Sequence, residues 1–130
     1  MLLVVGSRGM AGAAVLSAEA AMRSGCGYVH VATVRAIAPE LTTALPSAIL
    51  HCPNDLDRPQ LSWDDLPMLV DATRGADAVV IGPGLGDGVE AWLGELLARA
   101  ASPRIVLDAD ALNAIARRRD LFASLDERCV

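Results

Sequence analysis

Aromatic side chains are almost missing from this 130-residue chain: Phe, Trp and Tyr together make up 3% of it. Its core must therefore be built from Val, Leu, Ile and Ala, and a hydrophobic content of 53% supplies them. That content excludes disorder, and the aliphatic bias suits parallel strands buried on both faces beneath helices. No apolar run is long enough to span a bilayer. The N-terminus lacks the basic, apolar and cleavage-site succession of a signal peptide. Positive charge is also short, with a net charge of −5, so no nucleic-acid footprint is expected. The one basic cluster, Arg117, Arg118 and Arg119, reads as the last turn of a helix, where cations complement the dipole. Cys26, Cys52 and Cys129 are odd in number and show no CxxC spacing, which fits lone thiols in a reducing cytosol. Cys26, in a small-residue run, reads as a packed core thiol. A cytoplasmic protein without a membrane partner is the expectation.

The chain has one domain's length, 1–130, and no internal repeat. Strand and helix patterns alternate. Strands are predicted at Leu2–Val5, Tyr28–Ala32, Ala48–Cys52, Ala78–Ile81 and Arg104–Leu107. Helices are predicted over Ala11–Ser24, Gly88–Ala101 and Ala109–Arg119, with Arg35–Leu45 either a short helix or an irregular connection. In SWDDL, Ser62 reads as an N-cap, with Asp64 and Asp65 in the first turn of another helix. The final SLDERCV begins like a further strand and then stops, a sign of truncation. This alternation predicts an α/β layered fold with a mainly parallel sheet.

In such sheets ligands bind beyond the carboxyl ends of the strands. Three of those ends are conspicuous: GSRGMAG after the first strand, GPGLGDG after the fourth and DADALN after the fifth. Gly6, Gly9 and Gly12 allow close backbone approach, and the helix that follows offers unpaired N–H groups to an anion. The same small residues would equally serve tight helix–strand packing. The spacing is not the GxGxxG dinucleotide fingerprint, and no acidic residue ends the second strand. Gly82, Gly84 and Gly86, stiffened by Pro83, predict a loop exposing several N–H groups to a pyrophosphate or ribose. Asp108 is expected at a strand tip, able to bind hydroxyls or a metal through water, and Asp110 and Asn113 on the first helical turn, where Asp110 would serve as a cap. His30 and His51 lack partners at metal spacing and read as structural histidines.

GSRGMAGAAVLSAEAAMRSGCGYVHVAT, ADAVVIGPGLG and VLDADALN, in this order, resemble the ADP/ATP-dependent NAD(P)H-hydrate dehydratases, the YjeF C-terminal-domain family. The resemblance implies a three-layer α/β/α, ribokinase-like fold, doubly wound and truncated at the C-terminus. It also implies repair of hydrated NADH or NADPH, by phosphorylation of the added hydroxyl from ADP or ATP with Mg2+ and elimination of phosphate. ADP would become AMP and phosphate. The candidate substrate-binding residues are Gly12, Ala13, Ala14, Gly82, Gly84, Gly86 and Asp108, and the candidate nucleotide-binding residues are Gly6 and Ser7. In the family a TPHPGE-type segment and a GGTGD-type anion hole, whose Asp is the base, follow a strand like RCV. Neither follows here, so the resemblance assigns no catalytic residue and no protein metal ligand to this chain. The alternatives are a non-catalytic nucleotide-binding module and a small-molecule kinase of the same fold. A homo-oligomer is expected, because truncating such a sheet bares an apolar edge and one helix-free face.

Overall fold

A computed structural model describes residues 1–101 and 104–130. Five short strands carry the aliphatic runs: β1 Leu2–Val4, β2 His30–Ala32, β3 Ile49–His51, β4 Val79–Ile81 and β5 Ile105–Leu107. They form one parallel sheet in the order β3-β2-β1-β4-β5. The helices are α1 Ala11–Arg23, α2 Ala38–Ala44, α3 Leu66–Ala72, α4 Leu93–Arg99 and α5 Asp110–Arg117.

Helix α1 begins where its small residues predict. Three other elements differ from expectation. The connection after β2 is helical, a 3-10 turn at Arg35–Ile37 leading into α2. The helix predicted over Gly88–Ala101 is broken: Gly88 is left-handed, Val89–Ala91 is a 3-10 turn, and α4 starts only after Trp92. The arginine cluster is not one helical turn, since α5 ends at Arg117, Arg118 is its C-cap and Arg119 opens a 3-10 turn to Ser124. Arg117 pairs with Asp87 at 2.9 Å and Arg118 with Asp120 at 2.7 Å, so specific carboxylates hold both. Ser62 and Asp65 do form a reciprocal capping box, on a 3-10 turn that runs into α3.

The core lies on both sides of the sheet. Leu2, Val4, Val79, Ile81 and Ile105 are wholly buried on one face. On the other, Leu3, Val80 and Val106 stand in register across β1, β4 and β5. There Leu3 is buried near α1, Val80 is half-buried, and Val106 is 40% exposed. The β4–β5 half of that face therefore has no helix over it among the described residues. Beside β5 the last residues pair as a sixth strand would. Leu107 N–H donates to the Val130 carbonyl, and Val130 N–H to the Ile105 carbonyl, both at 2.9 Å.

Candidate functional site

The strand order reverses direction at β1 and β4: β2 and β3 extend to one side of β1, and β4 and β5 lie on the other. The carboxyl ends of β1 and β4 flank such a switch point, where the diverging connections leave a crevice. The glycine-rich turns GSRGMAG and GPGLG stand on those two strands. They are joined directly, Gly6 N–H donating to the Pro83 carbonyl at 2.8 Å. Gly84 lies against the start of α1: a methyl there would come within 2.7 Å of Ala13 Cβ and 3.1 Å of Met10 Cβ. One crest thus brings together Gly6, Ser7, Gly12, Ala13, Ala14, Gly82, Gly84 and Gly86.

Within that crest the glycines have different reasons to be glycine. Gly6 is enclosed by Ile37, Ala14 and Thr33, and Gly82 by the Asp108 carbonyl and Ala111, so packing alone forbids a side chain at either. Gly12 has open space beyond its Cα, on the exposed first turn of α1. No side chain caps α1, and its first turn holds no carboxylate. Ala13 N–H donates to the Met10 carbonyl at 3.2 Å, which leaves the Ala11 and Gly12 N–H groups and the partial positive charge without a partner among the described residues. Ala14 is buried, whereas Ala13 is half-exposed.

The GPGLG loop exposes fewer N–H groups than its glycines predict. Gly82 N–H donates to Val4, Leu85 N–H to Gly82 and Gly86 N–H to the Asp110 carboxylate at 2.9 Å. Gly84 N–H makes no hydrogen bond to the described residues. Asp110 does not cap α5, whose N-cap position is Ala109 with no side-chain cap bond; its carboxylate instead ties the fourth-strand loop to α5, and its other oxygen accepts from Asn113 at 3.2 Å. Asp108 stands exposed at the tip of β5. Between the two carboxylates Ala109 is held at φ 45°, the single non-glycine residue with positive φ among those described.

Two residues that the motifs did not single out, Arg8 and Gln60, join the crest beside the candidate Ser7. Arg8 N–H donates to the Pro59 carbonyl at 2.7 Å, and its guanidinium to the Asp57 carbonyl at 2.9 Å. Gln60 Nε2 donates to the Asp87 carbonyl at 2.8 Å, while its Oε1 lies beside Gly86. Ser7 is 5% exposed, and its hydroxyl makes no hydrogen bond among the described residues. The proline-rich segment around 57–60 is consequently strapped across the switch point, which composition alone marks only as a surface loop. A Gly-x-Gly-Asp string does occur, at Gly84–Asp87, but the Asp87 carboxylate turns away to Arg117 at the surface.

The comparisons with known proteins bear on this crest. The model of the NAD(P)H-hydrate dehydratase family matches residues 1–130. The chain belongs to that family. A bifunctional NAD(P)H-hydrate repair enzyme of Gloeobacter violaceus is 43% identical over 124 residues, 95% of this chain and 23% of that protein. An ADP-dependent (S)-NAD(P)H-hydrate dehydratase of Lactococcus lactis is 35% identical over 90% of this chain and 39% of its own length. The Bacillus subtilis ADP/ATP-dependent NAD(P)H-hydrate dehydratase, co-crystallised with ATP/Mg2+ and soaked with CoA, superposes with a TM-score of 0.64. It is 30% identical, over 85% of this chain and 38% of that one. A ribokinase-like protein of Enterococcus faecalis gives a TM-score of 0.73 over 91% of this chain and 39% of its own, at 24% identity, which shows the fold. This member of the dehydratase family spans less than half the length of these relatives.

Among the described residues no three His, Cys, Asp or Glu side chains stand together as a cation cluster. Cys26, Cys52 and Cys129 are free thiols, Cys26 half-buried with its sulfur 3.9 Å from that of Met1. No helix among the described residues is long and apolar enough to cross a membrane.

Proposed function

We propose that this chain forms the substrate-binding part of a nucleotide-dependent NAD(P)H-hydrate dehydratase. The observation that carries this reading is the junction of both glycine-rich turns at the β1/β4 switch point, beside an uncapped helix start made of small residues. A hydrated dinucleotide would lie against Gly12 and Ala13, with a phosphate facing the leading N–H groups of α1 and the Gly84 N–H. Gly82 and Gly86 shape the loop behind it, and Ala14 fixes the floor. The Asp108 carboxylate would accept from ligand hydroxyls. Gly6 and Ser7 lie on the nucleotide side, with the Ser7 hydroxyl as a donor.

ADP or ATP supplies the leaving group: its terminal phosphoryl moves to the hydroxyl of the hydrated nicotinamide ring. Loss of that phosphate with a ring proton restores the double bond. Phosphoryl transfer depends chiefly on positioning and charge neutralisation, which backbone N–H seats provide. Any Mg2+ would be carried by the nucleotide's own phosphate oxygens. No side chain at this crest is poised as the base, so the 130-residue chain binds its ligands without turning them over. Its setting is the cytoplasm, where these cofactors are consumed.

Calorimetry on the chain with NADPH and with ADP, and an assay of hydrated NADH with ADP, test this together. Saturable heat without turnover is the expected result. Absence of heat with every ligand would sink the binding role, and measurable dehydration would overturn the division of labour.

A further inference from the structure

His30 lies on β2 and His51 on the neighbouring edge strand, β3. The register sets His30 opposite Ile49 and His51 opposite Ala32, so the two histidines are diagonal neighbours on one face. Nδ1 of His30 is 2.9 Å from Nε2 of His51, and the ring centroids are 5.2 Å apart with planes inclined by 27°. Rings aimed nitrogen to nitrogen along a single N–H···N bond have this spacing. Such a bond needs one ring N–H and one bare nitrogen, so it exists only while at least one imidazole is neutral.

β3 has little else to hold its outer side. It is an edge strand of three residues, with Ile49 exposed and Leu50 and His51 half-buried. We propose that the His30–His51 pair is a pH-operated latch on this edge strand, closed by the shared N–H···N bond and opened when both rings carry protons. The charge of Asp71, at the end of α3, acts on His51 and favours its protonated form. Arg74, Asp77, Cys26, Tyr28 and the Met1 end line the cleft that His30 borders. Arg35 and Cys52 flank the far end of β3, the guanidinium donating to the carbonyls of Cys52 and Pro53.

Burial first, and then the charge of His30, hold the His51 pKa below 6.5, with Asp71 offsetting part of the effect. In the unfolded chain His51 takes its proton near the ordinary value of about 6.5. The stability contributed by neutral His51 is therefore complete above that value. It is lost as the pH falls from there toward the lowered folded value. The carboxylates of Asp55, Asp120 and Asp126, all held below 3.8 by hydrogen bonds, lose their contributions only in a more acidic range.

The test is urea unfolding of the full chain at about pH 7.5 and about pH 5.5, beside His51→Gln, with ring nitrogens and β3 amide exchange followed by NMR. Between those conditions the unfolding constant of the unaltered chain should rise more than that of the variant. Protection of the Ile49–His51 amides should fall with the same midpoint as the His51 ring titration. Equal pH dependence in both proteins, or β3 protection indifferent to the ring titration, would overturn the latch. If His51→Gln does not fold, the two midpoints in the unaltered chain decide: coincidence supports the latch and divergence rejects it.

Discussion

A methyl group added at Gly12 meets nothing within 4 Å, whereas one added at Gly84 collides with Ala13 and Met10. Gly84 also sits at φ 67°, a conformation that side chains disfavour. Gly84→Ala should therefore destabilise the chain by about 1–3 kcal/mol in urea unfolding, from overpacking and backbone strain together. Gly12→Ala should do the reverse. Replacing glycine by alanine in an exposed helical turn gains about 0.5–1 kcal/mol, so the fold alone gives no reason for glycine at this position. If a dinucleotide lies against Gly12, the same substitution lowers its affinity about tenfold while raising the thermal midpoint. Unchanged affinity in Gly12→Ala would mean that the open helix start is not the docking surface.

The segment between β3 and α3 is organised by ion pairing and capping instead of apolar periodicity. Arg58 donates to both oxygens of Asp65, at 2.8 and 2.7 Å, and to the Ser62 hydroxyl, while Asp65 accepts from Ser62 N–H. The Asp65 side chain is buried, and Arg58 is only a quarter exposed. Asp65→Ala would strand the guanidinium and remove one arm of the capping box, a loss of about 2–4 kcal/mol by chemical denaturation. Ser62→Ala removes the hydroxyl cap and one acceptor of Arg58 but leaves the ion pair, and should cost about 1 kcal/mol. A difference smaller than that between the two variants would show that the pair is a surface decoration. The Ser62 cap and the acidic first turn are legible in SWDDL because the residues are local, whereas the reciprocal bond from Asp65 is seen only in the structure. Arg58 is not legible, because its role depends on how a proline-rich loop folds back. The same distinction runs through the crest. The two glycine turns announce themselves in sequence, but Asp110 on Gly86, Gln60 on Asp87 and the His30–His51 contact need the strand order and register before they can be seen. The start of α4 differs from the sequence expectation for a related reason. Gly88 adopts φ 78°, and the break it makes is a matter of backbone conformation that the apolar pattern of Val89, Trp92 and Leu93 does not record.

At the scale of the molecule, the sheet is covered unequally. Leu3, Val80, Val106 and Val130 line a groove of about 470 Å³ running from Met1 to Asp108, with α1 forming one wall through Ala20 and Ala21. A half-covered aliphatic face next to a strand edge is a surface on which two copies can associate, and a net charge of −5 opposes that association only at long range. Salt distinguishes the two forces. At about 0.15 M ionic strength the Debye length is about 8 Å, so added salt weakens the repulsion between copies while leaving apolar contact intact. Sedimentation velocity at micromolar concentration should thus show self-association that strengthens from low to high salt. Val106→Lys, at a position already 40% exposed, should shift the chain toward monomer with a stability change within about 0.5 kcal/mol. A compact monomer at every salt concentration, or association unaffected by Val106→Lys, would show that this face stays free in solution and that the expected homo-oligomer does not form through it.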